Sequence, residues 1–318
     1  MDIIKKFKEE IKKEELKPKT IKNYISDLNT VLDIFDYTSN FLKTPEETIK
    51  TLQKHYPNVK TLATKINIII MLLKLNYKDD EELQKFNKTY LVFRNQLKNE
   101  NEEYYKQQIA NPKQIEKSIT CEENEKIKNV LLSRIKHLTK DRTNITNIRN
   151  YLIYMFLDYL NCRGDFINSL LVIENSKNEY DKQYNYIIIN KTNKTIKYIQ
   201  NNYKTNGVYK QLIHDIDNGT YKYFIKLYNG YKKLGIETKY CFNQTDLLNP
   251  MNVGNLSTLY KQFGIDILGK VINIQVMRVQ KASNDYEIMQ PILNKSKNMS
   301  HSIGVHSNVY MKKNICKI

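Results

Sequence analysis

The sequence predicts a mainly α-helical fold in two domains, with one small antiparallel β-sheet in the second. Three observations predict it. Apolar residues recur at helical spacing throughout residues 1 to about 108. Three strand-like runs lie close together between Gln183 and Ile216, joined by turn residues. A chain of 318 residues is also longer than one ordinary core fills, and a polar stretch containing Pro112 interrupts it.

The N-terminal stretch MDIIKKFKEEIKKEE is charged and helical in pattern, without the apolar core of a signal peptide. From Pro18, Thr20 is the expected N-cap of a helix whose Ile21, Tyr24, Ile25, Leu28, Val31 and Leu32 share a face. Thr44, Pro45 and Glu47 have the pattern of a capping box opening a second helix. NVKTLATKINIIIMLLKLNY forms a more apolar third, and the stretch from Asp79 to Gln108 a long fourth. This bundle is expected over residues 1–108, with a linker at 109–118 and a second domain over 119–318.

The second domain opens on another capping box, Thr120 with Glu123, ahead of KIKNVLLSRIKHL. NIRNYLIYMFLDYL is apolar enough to be the central helix of the domain. QYNYIIIN, TIKYIQNNYKT and VYKQLIHDI then read as strands, separated by turns at Asn193 and at Asn206-Gly207. Helical patterns return in TYKYFIKLYNGYKKL, NLSTLYKQF and NIQVMRVQKASNDYEIM.

Composition narrows the function classes. The 41% hydrophobic and 27% charged residues fit a packed globular chain, not a disordered one. The longest apolar runs, Ile68–Leu75 and Tyr151–Leu160, are short of a bilayer span and carry Lys74 and Asp158, so no membrane association is expected. Cys121, Cys162, Cys241 and Cys316 form no C-x-x-C pair, which argues against a zinc ribbon and for a reducing intracellular compartment. The five histidines show no H-E-x-x-H spacing, so neither a metal nor another cofactor is expected. The net charge is +17, of which the first 110 residues account for about +3 and the other 208 for about +14. Such a surplus suits a polyanion such as nucleic acid. It equally suits an AT-rich genome, as of a virus or mobile element, whose codons inflate Lys, Asn, Ile and Tyr.

Breaking a phosphodiester without a metal needs a nucleophile, cations on the non-bridging oxygens and an acid for the leaving oxygen, all in a rigid frame. Candidates occur in order along the second domain. Arg163 follows the apolar helix in NCRGDF, with Asp165 two residues on. Lys204 ends a strand in NNYKTNG, Arg278 lies in a helical run, and His301 and Tyr310 stand near the end of the sequence. This ordered set resembles the tyrosine recombinases, the phage integrase family. In that family an arginine and an acidic residue follow an apolar helix, as in LDYLNCRGDFINSLLV. A lysine lies in a strand-to-strand turn, as Lys204-Thr205 does, and a second arginine closes an H-x-x-R helix, here Gln275-Val276-Met277-Arg278. Twenty-three residues separate Arg278 from His301 and nine separate His301 from Tyr310, both as in the family. Thr20, Tyr24 and Leu28 fit the T-x-x-x-Y-x-x-x-L helix of its core-binding domain.

The resemblance implies a helical core-binding (SAM-like) domain followed by an α+β catalytic domain, closing as a clamp on double-stranded DNA. It implies a site-specific recombinase or integrase, acting through a 3′-phosphotyrosyl link without metal or ATP, and a homotetramer on paired DNA sites. In it Tyr310 is the nucleophile, Arg163 and Arg278 hold the phosphate, and Lys204 is the acid. His301 and Gln275 steady the transition state, with Asp165 behind them. Gln275 departs from the family's histidine: it keeps hydrogen bonding but cannot titrate. Ser300 stands where a glycine precedes the histidine, and only eight residues follow Tyr310, which bears on how subunits assemble. A type IB topoisomerase uses similar chemistry to relax DNA, and a degenerate, non-catalytic DNA-binding relative is the other alternative.

Overall fold

A computed structural model describes residues 2–106, 112–136, 141–160, 163–174, 180–203 and 210–282 of the 318. The chain divides into two compact units, Met1–Ala110 and Asn111–Ile318.

The first unit is built from α1 (Asp2–Ile11), α2 (Pro18–Ile34), α3 (Pro45–His55), α4 (Val59–Asn76) and α5 (Glu81–Lys106). α4 is apolar nearly all round and sits at the centre, with Ile66, Ile68, Ile69, Leu72 and Leu73 fully buried against its neighbours. Two expected caps fail here. Thr20 lies inside α2, which starts two residues earlier because Pro18 at the first position needs no partner for an N–H. Thr44 precedes α3 but makes no side-chain cap bond. Its neighbourhood is organised by the Phe41 carbonyl, which accepts from Thr48 Oγ1 (2.7 Å) and Tyr90 Oη (3.0 Å). Caps form instead at Asn58, whose Oδ1 accepts from Thr61 N at 3.1 Å, and at Asp80, whose Oδ1 accepts from Leu83 N at 3.0 Å at the start of α5.

The second unit begins with a short helix, α6 (Pro112–Glu116), then α7 (Cys121–Ser133). The Thr120–Glu123 capping box of α7 is present in both directions, at 3.1 and 2.8 Å. α8 (Arg142–Leu160) buries ten side chains and forms the spine of the unit. Arg149, buried on α8, donates Nη1 to Asn243 O at 2.5 Å and ties the helix to the chain leading into the next helices. Phe156 stacks on Phe166 at 4.6 Å and meets Tyr198 edge-on at 5.1 Å, joining α8 to the turn after it and to the sheet.

That sheet has four strands in sequence order: β1 (Leu170–Ile173), β2 (Tyr186–Asn190), β3 (Thr195–Gln200) and β4 (Leu212–Ile216). β2 pairs antiparallel with β3, and β3 with β4. The expectation of a purely antiparallel sheet is corrected by β1, which runs parallel to β2 with Leu170 opposite Tyr186. Four residues, LLVI, carry too little pattern to be read as a strand, and a parallel pair leaves no hairpin signal between its members. Helices α9 (Tyr221–Lys233) and α10 (Val253–Leu268) complete the core, followed by α11, described over residues 274–282. The chain is thus mostly helical with a small mixed sheet. No helix among the described residues is long and apolar enough to cross a membrane.

Candidate functional site

The site is assembled at the far end of α8. After the helix, Arg163 is extended (φ −72°, ψ 165°) and leads into a 3₁₀ turn, Gly164–Asn168. Gly164 lies against α10: a Cβ there would come within 3.0 Å of Leu256 Cδ2 and 3.4 Å of Val253 Cγ1. The absence of a side chain thus lets the arginine segment sit flush on α10. Phe166 and Ile167 are fully buried and anchor the turn from the other side.

Arg278 reaches the same place from 115 residues further along the sequence. α11, which carries it, is fastened at several points. Ile274 and Met277 pack on the core. The Gln280 amide bonds both ways with the Ile119 backbone, its Oε1 accepting from Ile119 N at 3.0 Å and its Nε2 donating to Ile119 O. Lys281 Nζ donates to the carbonyls of Asp158 and Tyr159, the latter at 3.3 Å, and so caps the last turn of α8 just ahead of Arg163. Asn273 Oδ1 accepts from Gln275 N at 2.7 Å, and Gln275 Oε1 accepts from Arg278 Nη1 at 3.3 Å. Arg278 also lines a cavity of ≈ 230 Å³, together with Gln280 and Lys281.

Asp165 stands within electrostatic reach of both arginines. Burial raises its carboxyl above the ordinary value, and Arg163 and Arg278 each pull it back down without cancelling that effect. Asp165 Oδ2 and Arg163 Nη1 are both buried with no hydrogen-bond partner among the described residues. Among the described residues a donor and an acceptor are therefore held out of water without partners, an arrangement that suits a ligand or a further side chain.

A third segment joins these two through Asn185, immediately before β2. Its side chain donates Nδ2 to Asp165 O (3.1 Å) and Asn202 O (3.0 Å), and its Oδ1 accepts from Asn201 N (2.8 Å) and Asn202 N (2.7 Å). Tyr203 Oη donates to Lys210 O at 2.7 Å.

The structure thus brings Arg163, Asp165, Gln275 and Arg278 together. Lys204, His301 and Tyr310 lie outside the described residues, as does the Asn206-Gly207 turn. The other lysines near the sheet stand elsewhere: Lys191 lies 5.3 Å over the ring of Tyr228 on α9, and Lys194 takes a positive φ of 54° in the β2–β3 turn. Sequence reasoning missed Gln280, Lys281 and Asn185. Lys281 had a visible signal, since Ile274, Met277 and Lys281 fall on one helical face. Asn185 had none, because its partners are 16 to 20 residues away.

No protein-family model matches the chain, and no curated protein matches it. Among solved structures the crystal structure of XerA recombinase is similar, at a TM-score of 0.35 and 14% identity, over 87% of this chain and 81% of that one. The likeness is distant.

Proposed function

We propose that the chain is a site-specific DNA recombinase or integrase that cleaves and rejoins DNA through a 3′-phosphotyrosyl intermediate. The observation that carries this reading is that Arg163 and Arg278 both stand within electrostatic reach of the half-buried Asp165, with Arg163 Nη1 buried and without a partner among the described residues. Two planar guanidinium groups near one carboxylate suit the non-bridging oxygens of a phosphodiester, which can accept paired N–H bonds from each. The order and spacing of the remaining candidates along the sequence support the same chemistry.

In this mechanism the Tyr310 oxygen attacks phosphorus in line with the 5′-oxygen. The P–O5′ bond breaks as the new P–O(Tyr) bond forms, so one phosphodiester is exchanged for another and the bond is kept for rejoining. Tyr310 gives up its proton to water, and Lys204 delivers one to the departing 5′-oxygen and is reprotonated from water. Charge building on the pentavalent phosphorus is held by Arg163 and Arg278, with His301 and Gln275 donating to the same oxygens. Asp165 orients the arginines. Attack by a 5′-hydroxyl from a second duplex reverses the steps and completes strand exchange.

The reading assigns residues 1–108 to a core-binding domain, 109–118 to a linker and 119–318 to the catalytic domain. The partner is double-stranded DNA, with four copies of the chain on two paired sites. Trapping on a nicked suicide substrate tests it: loss of the short fragment that carries the released 5′-hydroxyl should leave the full-length protein covalently attached to DNA. Tyr310→Phe should bind the same duplex and form no adduct. Wild-type levels of adduct from that variant would show that another residue is the nucleophile.

A further inference from the structure

We infer that Asn185 is a positioning residue that fixes the distance between the arginine segment, 163–165, and Asn201–Asn202, which follow β3 and end two residues before Lys204 in the sequence. The inference rests on the proposed roles of Arg163 and Lys204 at one phosphate. The Asn185 side chain is buried, at 4% exposure, and every hydrogen-bonding direction of its amide is used. Its two donors go to Asp165 O and Asn202 O; its one oxygen serves Asn201 N and Asn202 N. Its own carbonyl accepts from Leu170 N at 2.8 Å, where β1 begins. One residue therefore ties the arginine segment, the first strand and the end of the third to a common point.

The strand end is tied back in return. Asn201 Nδ2 donates to Tyr184 O at 2.9 Å and Asn202 Nδ2 to Gln183 O at 3.1 Å, on either side of Asn202's bonds to Asn185. Gln211 Nε2 donates to Asn201 Oδ1 at 2.7 Å. Only an amide suits the central position. A carboxylate offers no donor for the Asp165 and Asn202 carbonyls, and a hydroxyl has one donor where two are needed. The chemistry gives this geometry its use. Arginines on the non-bridging oxygens and an acid on the leaving oxygen must act on one phosphorus, and misplacing either by about 1 Å costs about 10²-fold in rate. Side chains behind the reacting groups set such distances.

The test is a double-mutant cycle in the full-length protein. Asn185→Asp keeps the acceptors for Asn201 N and Asn202 N and loses both donors, so it releases the arginine segment while retaining part of the clamp. Single-turnover cleavage at saturating DNA should fall about 10²-fold, with the DNA dissociation constant near that of the wild type; the melting temperature should fall, because two buried carbonyls lose their donors. In a Lys204→Ala background the same substitution should cost less than about threefold, because the acid that has to act together with the arginines is already gone. Should Asn185→Asp not fold, Asn185→Ser, with one donor and one acceptor, carries the same measurement. Equal rate losses in the two backgrounds, or a loss of DNA binding that matches the loss of rate, would overturn the inference and leave Asn185 a scaffold residue. A wild-type protein that binds duplex DNA but forms no covalent adduct overturns the catalytic reading itself, and this inference with it.

Discussion

Replacing Arg163 by methionine separates a residue kept for binding from one kept for folding. Methionine preserves length and flexibility but removes the charge and all five N–H donors. In the DNA-free protein Arg163 Nη1 is buried with no partner among the described residues. Leaving such a donor unmade costs about 1–3 kcal/mol, and the substitution releases that cost. Against this, Asp165 loses one of the two cations that offset its burial, a term of comparable size and opposite sign. Unfolding free energy should therefore change by no more than about 1 kcal/mol in either direction. Cleavage should respond quite differently. Two charge-assisted bonds to a phosphate, each worth about 1.5–3 kcal/mol, are lost together, which corresponds to about 10²–10⁴-fold in the rate of adduct formation. The assay is adduct yield against time on the suicide substrate, beside chemical denaturation of the same preparation. An Arg163→Met protein that is several kcal/mol less stable yet forms adduct at the wild-type rate would refute the reasoning, since the guanidinium would then be structural.

Further outcomes follow from the same site. Lys204→Ala should slow cleavage by about 10²–10⁴-fold, and a 5′-bridging sulfur should restore it, because a thiolate leaves without a proton; Arg163→Ala and Arg278→Ala should stay impaired on both substrates. The affinity for duplex DNA should fall with salt at a slope of about −0.9 per phosphate contacted, read from binding isotherms across a salt series; a slope near zero would make +17 a matter of codon usage. Asp165→Asn should change how stability depends on pH. The folded carboxyl titrates above its unfolded value, so ionising it opposes folding, and the penalty is absent below the unfolded value and complete above the folded one. The variant should therefore gain stability relative to wild type as pH rises from about 4 toward neutrality, and the gap should close in acid. A gap independent of pH would mean that Asp165 is paired more strongly than its surroundings suggest.

Much of this was already local. The helical period marked α4 and α8 as the most apolar helices, and burial of their faces follows from it. The Thr120–Glu123 box formed because all its atoms lie within one turn of chain. Arg163 and Asp165 could be singled out because an apolar helix must stop where they stand, and the intervals to His301 and Tyr310 could be counted. The failures share a cause. Thr44 had the right neighbours in sequence, but Thr48 and Tyr90 fixed the chain before it through the Phe41 carbonyl. β1 became a strand only because β2 offered it a parallel edge 16 residues away. The meeting of Arg163 with Arg278, the capping of α8 by Lys281 and the four bonds of Asn185 join segments between 16 and 123 residues apart. A side chain's period is a property of a few consecutive residues, so the sequence by itself determined it; a cap was determined in the same way only where no distant side chain intervened, as at Thr120. Which buried polar atoms meet depends on how distant elements pack, because each must find a partner in the space left by the core, and only the tertiary structure decided that.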